Sequence, residues 1–573
     1  MWEPRLDNGA RPFSASENAQ ARDKTVANSA VALKHECDGE NPRLPAELLI
    51  LNRFGIGYPF LKTAHRLSQT YNIEAREILF KSGIISEEIW LESQCLLDRE
   101  REKVRNRHLD EFQKLDLAIN NLHRTLPHYS AHRTFTGWQT AAIIALTAAA
   151  VSAIYYGDNL GLSVAIFIIS TFYTGVIILR ALMLARYDKR VETREALPTL
   201  LSGSLPWYSV VVPLFKEANQ IRPLTQHLAL LNWPNNRLDI KLICEEDDRE
   251  TIDAIQALNL PKHFHLIIVP NAQPKTKPKA LNHALSECKG EYLVIYDAED
   301  RPSPNQLREA YGRFQSEDGT LACLQAPLII SNSDQNWLTK LFFIEYLTLF
   351  RGILPVLASW NMPLPLGGTS NHFKLSILKS VGAWDPYNVT EDADLGIRLV
   401  REGYRTSTLD LPTYEEAPPH LIPWIKQRTR WMKGWMQTIL VHNRNPIHLF
   451  VDLGVRNALI FHLLLSSIVV SSLFHPIFIG LTLVELTNPK SFFENQWLLA
   501  FGIYNLVAGY TTYALFAALV LKSHHYPSRW PIIFTIPVYW LLISIAGWRA
   551  LVHLIVKPHR WEKTPHGLAP NDN

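Results

Sequence analysis

The chain is poor in the residues that build several kinds of protein. Its 573 residues hold five cysteines, Cys37, Cys95, Cys244, Cys288 and Cys323, with no Cys-x-x-Cys pair. That scatter argues against a disulfide scaffold and a cysteine zinc site, and suits a reducing compartment. No excess of one charge is present either. Lys plus Arg number 57 and Asp plus Glu 54, a formal net charge of +3, so nothing calls for nucleic acid. About the first forty residues contain no apolar run, and no secretory signal is expected there. At 47% hydrophobic and 19% charged, the whole is not a disordered chain, and its length suits two or three domains.

Long apolar runs are plentiful. A helix needs roughly 20 apolar residues to cross a bilayer. Trp138–Tyr156 and Leu160–Leu184 meet that length, and Gly157-Asp158-Asn159 joins them, which predicts a transmembrane hairpin within residues 135–186. Arg180 lies near the end of the second run, where its long stem can reach the interface. Asn457–Val484, Trp497–Leu521 and Trp530–Val556 form a second apolar region, residues 455–556. The basic stretch Arg186–Arg194 assigns the middle of the chain to the cytoplasm. Lys557, Arg560 and Lys563 assign the tail, residues 557–573, to the same side. Three passes would leave that tail outside, so one of the three runs is expected to be re-entrant, interfacial or a pair of passes.

Residues 200–440 alternate strand-like and helix-like segments. Trp207–Phe215, Asp239–Glu246, Phe264–Pro270, Glu291–Tyr296 and Leu321–Ile330 read as strands. Gln220–Leu231, Glu250–Leu258 and Pro278–Cys288 read as helices. This alternation predicts an α/β domain with a mostly parallel sheet and helices on both faces. Ligands of such sheets bind beyond the carboxyl ends of the strands. Glu245–Asp248 follows the second strand there, and Asp297–Asp300 the fourth.

Each cluster has a bland reading and a chemical one. Asp297, Glu299 and Asp300 would suit a solvated turn, or a site holding Mg²⁺ or Mn²⁺, since like charges kept close need a cation. Thr390-Glu391-Asp392 would suit a helix start, with Thr390 as N-cap and acids in the first turn. It would also present Asp392 as a general base to an acceptor hydroxyl. Gln427-Arg428-Thr429-Arg430-Trp431 lies among tryptophans 424, 431 and 435 and reads as an interfacial amphipathic helix. Its arginines could also hold a diphosphate bidentately, and Trp431 could face a sugar ring. Lys340–Trp360 is a second interfacial candidate.

Taken in order, these motifs resemble the membrane-embedded family 2 glycosyltransferases, the group of cellulose, curdlan, hyaluronan and chitin synthases. The resemblance covers about residues 200–566 and the preceding hairpin. It includes Val211–Glu217, the Asp247-Asp248 pair, Lys279-Ala280-Leu281-Asn282 and the three clusters above. It implies a cytoplasmic GT-A (Rossmann-like) domain inserted between transmembrane helices of the inner cell membrane. It implies a UDP-sugar donor met by Pro213, Glu217, Asp247 or Asp248, Lys279 and Asp297. Asp297, with Glu299 or Asp300, would hold the metal. Asp392, with Thr390 and Glu391 beside it, would be the catalytic base. Gly368 and Thr369 would meet the acceptor, and Gln427, Arg428, Arg430 and Trp431 the acceptor and diphosphate end. Trp561, Lys563 and Thr564 resemble a gating loop over the nucleotide. The expected product is a β-linked polysaccharide from UDP-glucose, exported through the membrane, with accessory export subunits as possible partners; the alternative is a single sugar added to a lipid. Two departures stand out. The usual Asp-x-Asp is Asp297-Ala298-Glu299-Asp300 here, so the second metal ligand is open, and so is the choice between Asp247 and Asp248.

Ahead of all this, residues 1–43 are polar and expected to be disordered. Residues 44–130 have helical periodicity, as in Ala75–Phe80 and Ser86–Leu97, and are expected to form a helical accessory domain. They resemble the small helical domain at the N-terminus of type II secretion ATPases, with spacing too generic to carry a ligand across. A docking or regulatory role is expected.

Overall fold

The computed structural model describes residues 44–107, 111–155, 159–187, 205–487, 496–560 and 562. The expectation for residues 1–43 falls outside them. The chain divides into two units, Met1–Asp110 and Glu111–Asn573. In the first, helices Tyr58–Tyr71, Ala75–Lys81 and Glu87–Arg107 follow two short turns. Leu48, Leu51, Leu61, Ala64, Ile78 and Leu79 form its core. The helix Glu111–Thr125 falls within the span expected for the accessory domain, but it folds with the second unit. Its Ala118 and Leu122 are buried, and the Asn282 amide donates to the Ala118 carbonyl at 3.1 Å.

The second unit is built on a seven-stranded sheet. Its strands are β1 (Tyr208–Leu214), β2 (Leu238–Glu245), β3 (Phe264–Val269), β4 (Tyr292–Ile295), β6 (Leu321–Gln325), β8 (Asn371–Lys374) and β9 (Arg405–Thr408), in the order β3-β2-β1-β4-β8-β6-β9. A smaller sheet joins β5 (Arg301–Pro302), β10 (Thr413–Glu415) and β7 (Leu328–Ile330), ordered β5-β10-β7. β2 is buried at every position and β1 at all but Pro213, as strands covered on both faces must be.

The sheet is mostly parallel, as expected, with two features the sequence did not show. β8 runs antiparallel to both β4 and β6, so the sheet is mixed. The run expected as one strand, Leu321–Ile330, is two. Pro327 interrupts it, because proline has no N–H for the ladder, and β7 leaves for the smaller sheet. β1, β2 and β4 are parallel neighbours, so the loops after Leu214, Glu245 and Ile295 share one edge.

Among the described residues, five helices are long and apolar enough to cross a membrane: Ser163–Arg186, Trp337–Ser359, Pro446–Val484, Trp497–Ser523 and Pro527–Val556, with Gly137–Ser152 a shorter apolar helix. Asn159–Arg186 packs along Gln496–Ser523, where Thr174 donates to Asn505 at 3.0 Å. Arg180 lies against aromatic side chains of neighbouring helices. Its guanidinium lies 5.6 Å and 5.7 Å from the rings of Tyr513 and Trp540. Gly454, at φ 71°, breaks the helix after Pro446 and turns the chain into the next apolar segment. Trp337–Ser359, the second interfacial candidate, is mostly buried on β7 and neighbouring helices.

The last apolar run bonds to other elements of this unit at both ends. Just before Ile536–Val556, the Trp337 indole donates to Thr535 at 2.8 Å. Just after it, Lys433 donates to the Lys557 carbonyl at 3.3 Å. The helix also packs along Leu421–His442. Both its ends therefore return to the body that carries the sheet.

Candidate active site

A cavity of about 370 Å³ lies beyond the carboxyl ends of β1 and β4. Its polar end is lined by Pro213 near the end of β1 and Glu217 beyond it, Asp297 and Glu299 after β4, and Gly368 and Thr369 before β8. Thr390, Glu391 and Asp392 add a third wall, and Gln427, Arg428, Arg430 and Trp431 a fourth. Its other end reaches Val176, Leu179 and Met183 of one apolar helix and Leu464 and Leu465 of another. Folding thus brings four distant motifs to one space.

The acids after β4 do not behave alike. Asp297 takes the Lys277 ammonium in an ion pair. Asp300 turns inward and is almost fully buried. One of its oxygens accepts from the Asp297 amide at 2.7 Å and from the Thr369 hydroxyl, and the other has no hydrogen-bond partner. Burial holds the Asp300 carboxyl well above the usual carboxylate range, and the charges of Asp297 and Glu299 add to this. Among the described residues, no three His, Cys, Asp or Glu side chains stand ready as a ligand set. A buried carboxylate oxygen without a partner, beside two further carboxylates, is nevertheless what a hard divalent cation would relieve. These residues fit Mg²⁺ or Mn²⁺.

Thr390 stands at the N-cap of helix Glu391–Arg401, but its side chain makes no capping bond. Its amide donates to Asn388 at 3.1 Å, and its side chain packs on Gly434 of helix Leu421–His442. A Cβ at Gly434 would lie 2.3 Å from the Thr390 hydroxyl oxygen, so the two helices meet this closely only over glycine. Helix capping therefore does not explain Thr390. Asp392 accepts from the Ala393 amide at 2.7 Å, and its other oxygen faces Gly368, where an added Cβ would stand 3.2 Å away. Burial raises the Glu391 carboxyl to about 7, with Asp392 adding repulsion. Burial likewise raises Asp392 to about 6, while Lys277 and Arg430 pull it back.

Several expected contacts lie elsewhere. Lys279, expected at the donor, is fully buried beneath the site, where it pairs with Glu245 at 2.8 Å and donates to the Ala272 carbonyl. Asp248 accepts from the Lys216 amide at 2.5 Å and caps helix Arg249–Gln256. Asp247 is exposed and pairs with Lys275 at 2.6 Å. None of Asp247, Asp248 and Lys279 lines the cavity. Arg428 lines it, but commits both arms of its guanidinium to Glu345 at 2.5 Å and 2.7 Å and lies against the Phe342 and Trp431 rings. It is a strut, not a ready diphosphate ligand. Arg430 lines the cavity within electrostatic reach of the acids. Burial lowers its pKa, and Glu391, Asp297 and Asp392 oppose that. Trp561, Lys563 and Thr564 lie outside the described residues. Just before them, Lys433 donates to the Arg560 carbonyl at 2.6 Å and Gln437 to that of Pro558 at 3.1 Å.

The residue missed in the sequence is Lys277, which lines the cavity. Its signal was present in Lys277-Pro278-Lys279. Residues two apart on a helix point about 200° apart, so one of these two lysines can face the site while the other faces away.

A mixed sheet with acids at its strand ends, opening onto one cavity, is the GT-A-like arrangement of a glycosyltransferase. Residues 209–370 match the model for Glycosyl transferase family 2, and residues 292–555 that for Glycosyl transferase family group 2. Together the two family models span residues 209–555, and the chain is a glycosyltransferase. It is 24% identical over 425 residues to a beta-monoglucosyldiacylglycerol synthase of Synechocystis sp., covering 70% of this chain and 83% of that one. It is 28% identical over 244 residues to the UDP-forming cellulose synthase catalytic subunit of Xanthomonas axonopodis pv. citri, covering 42% of this chain and 32% of that one. Among solved structures, the mannosyltransferase PcManGT from Pyrobaculum calidifontis, in complex with GDP-Man and Mn²⁺, aligns with a TM-score of 0.44 at 18% identity, covering 69% of this chain and 98% of that one.

Proposed function

We propose that the protein is an inverting, processive glycosyltransferase that transfers glucose from UDP-glucose to a growing β-linked polysaccharide. The observation that carries this reading is the single cavity joining Asp297 and Asp392 to apolar helices at Val176, Leu179, Leu464 and Leu465. A product made at the acids would leave directly along membrane-length helices. Four apolar helices, Gly137–Tyr155, Asn159–Arg186, the segment after Gly454 and Gln496–Ser523, would cross the inner membrane. Ile536–Val556 would lie at its cytoplasmic surface, because both its ends bond to the catalytic body. The tail then stays on the cytoplasmic side, as its basic residues require.

In the mechanism, Pro213 and Glu217 border the nucleoside, and Asp297, Glu299 and Asp300 would hold Mg²⁺ or Mn²⁺ at the diphosphate. The metal supplies charge neutralisation to the departing group. Asp392 takes the proton of the acceptor hydroxyl, its raised pKa suiting a base that works near neutral pH. The acceptor oxygen bonds to the anomeric carbon as the bond to the diphosphate breaks on the opposite face, so an α-linked donor gives a β-linkage. Arg430, beside these acids, meets the diphosphate, and Trp431 borders the acceptor.

The apolar floor of the cavity favours a second reading, a single sugar added to a diacylglycerol-type lipid, the acceptor class in the name of the Synechocystis relative. Purified protein in nanodiscs, given radiolabelled UDP-glucose, UDP-GlcNAc, UDP-galactose and GDP-mannose in turn, separates the two. Label in a high-molecular-weight product supports the polymer. Label confined to a lipid extract sinks it in favour of the lipid.

A further inference from the structure

Lys277 sits where two requirements of the site conflict. Its ammonium pairs with Asp297, the first residue of the cluster suited to a cation, and also donates to the Gly368 carbonyl at 2.6 Å. An added Cβ on Gly368 would be 3.2 Å from Asp392 and 3.9 Å from the Lys277 nitrogen, so one positive charge stands between the Asp297 cluster and Asp392. Lys277 is largely buried, at 15% side-chain exposure, and begins helix Lys277–Ala284, with Pro278 in its first turn. That start holds it firmly, while Lys279, on the other side of the helix, is consumed by Glu245.

A carboxylate oxygen already bound to an ammonium is a poorer metal ligand, because the two cations repel and share one set of lone pairs. We propose that Lys277 competes with the divalent cation for Asp297 and, once displaced, pairs with the diphosphate of the nucleotide donor. Metal and nucleotide then bind cooperatively. The nucleotide supplies the new partner that releases Asp297, and metal without nucleotide meets a site whose carboxylate is occupied. The arrangement favours closing the site around the metal–diphosphate pair over metal alone. This rests on the donor being a nucleoside diphosphate sugar, as proposed above.

The test measures Mn²⁺ binding to the full-length protein in detergent, by the loss of the free-ion electron paramagnetic resonance signal, with and without UDP. Lys277→Met removes the competing charge, so Mn²⁺ alone binds about tenfold more tightly than to wild type. With UDP present, the Met variant loses that gain, because the diphosphate lacks its ammonium partner, and UDP itself binds about tenfold more weakly. Lys277→Arg holds Asp297 with a two-armed fork and weakens Mn²⁺ binding in the absence of UDP. It keeps the proposal testable should the Met variant fail to fold. Mn²⁺ affinity unchanged in either folded variant, or no Mn²⁺ binding by wild type, overturns the proposal. Sugar incorporation in the donor assay fails or succeeds separately, so the failure of the functional reading is told apart from the failure of this one.

Discussion

The clusters after β2 and β4 look equivalent in the sequence, since each places three or four acids at a strand end on one edge of one sheet. In the folded protein they differ in kind. After β2, Glu245 is neutralised by Lys279, Asp248 caps a helix and receives the Lys216 amide, and Asp247 pairs with Lys275 at the surface. Glu246 accepts from the Asn271 amide at 3.2 Å, so each of the four has a structural partner of its own. After β4, and in Glu391-Asp392 across the cavity, acids crowd one another. Burial and mutual repulsion hold Glu391 and Asp300 above their usual range, and one Asp300 oxygen has no partner. Satisfied acids stabilise the fold, whereas unsatisfied ones are poised to take a cation or a proton.

If this contrast is real, substitutions in the two clusters should fail in different ways. The largest stability loss belongs to the first. Lys279→Met strands Glu245 as a buried charge and should cost about 3–5 kcal/mol, read as a fall in melting temperature in detergent. Rescue by a second change, Glu245→Gln, would sharpen the point. Gly434→Ala comes next. Its Cβ collides with Thr390 and should cost about 1–3 kcal/mol, while activity falls further than stability because the helix bearing Asp392 is pushed from the one bearing Arg430. The pH profile separates the clusters without mutation. A base must be deprotonated to act, so turnover should fall as pH drops through about 7 and about 6, the values to which burial raises Glu391 and Asp392. A rate flat from pH 8 to about 5 would break the comparison. The smallest effect is expected from Asp247→Ala. It removes an exposed ion pair worth about 0–1 kcal/mol and should leave kcat unchanged, with at most a small rise in KM for the donor.

Much of this was legible in the sequence, for physical reasons. β1, β2, β3 and β4 end within one residue of where their apolar runs end, because each strand is rich in Val, Ile and Leu and the loop that follows is polar. The helix Leu421–His442 was marked by its Trp and Arg spacing. β8, β9 and β10 were not legible. They are three or four residues long, and two of them carry polar residues such as His372, Thr406 and Thr408 whose partners lie elsewhere in the fold. The choice of Lys279 over Lys277 turned on which side of a helix faces the site, which tertiary packing decides. The role of Ile536–Val556 could not follow from hydropathy, since an apolar helix lying against the catalytic body and one crossing a bilayer have the same composition. Its two end contacts, with Trp337 and Lys433, are what favour the surface placement proposed above. Arg428 shows the same limit, because the acid that occupies it, Glu345, comes from another helix.

The most direct test of the poised cluster is Asp392→Asn. The amide is nearly the same size and keeps the Ala393 contact, but cannot take a proton. Sugar transfer by purified wild type and variant would be measured at saturating donor, with UDP binding measured alongside. Loss of about 10²–10⁴-fold in kcat with UDP affinity unchanged is the predicted result. A variant that binds UDP normally and still transfers sugar within about threefold of wild type, far inside the range a general base contributes, would contradict Asp392 as the base and, with it, the division between satisfied and poised acids.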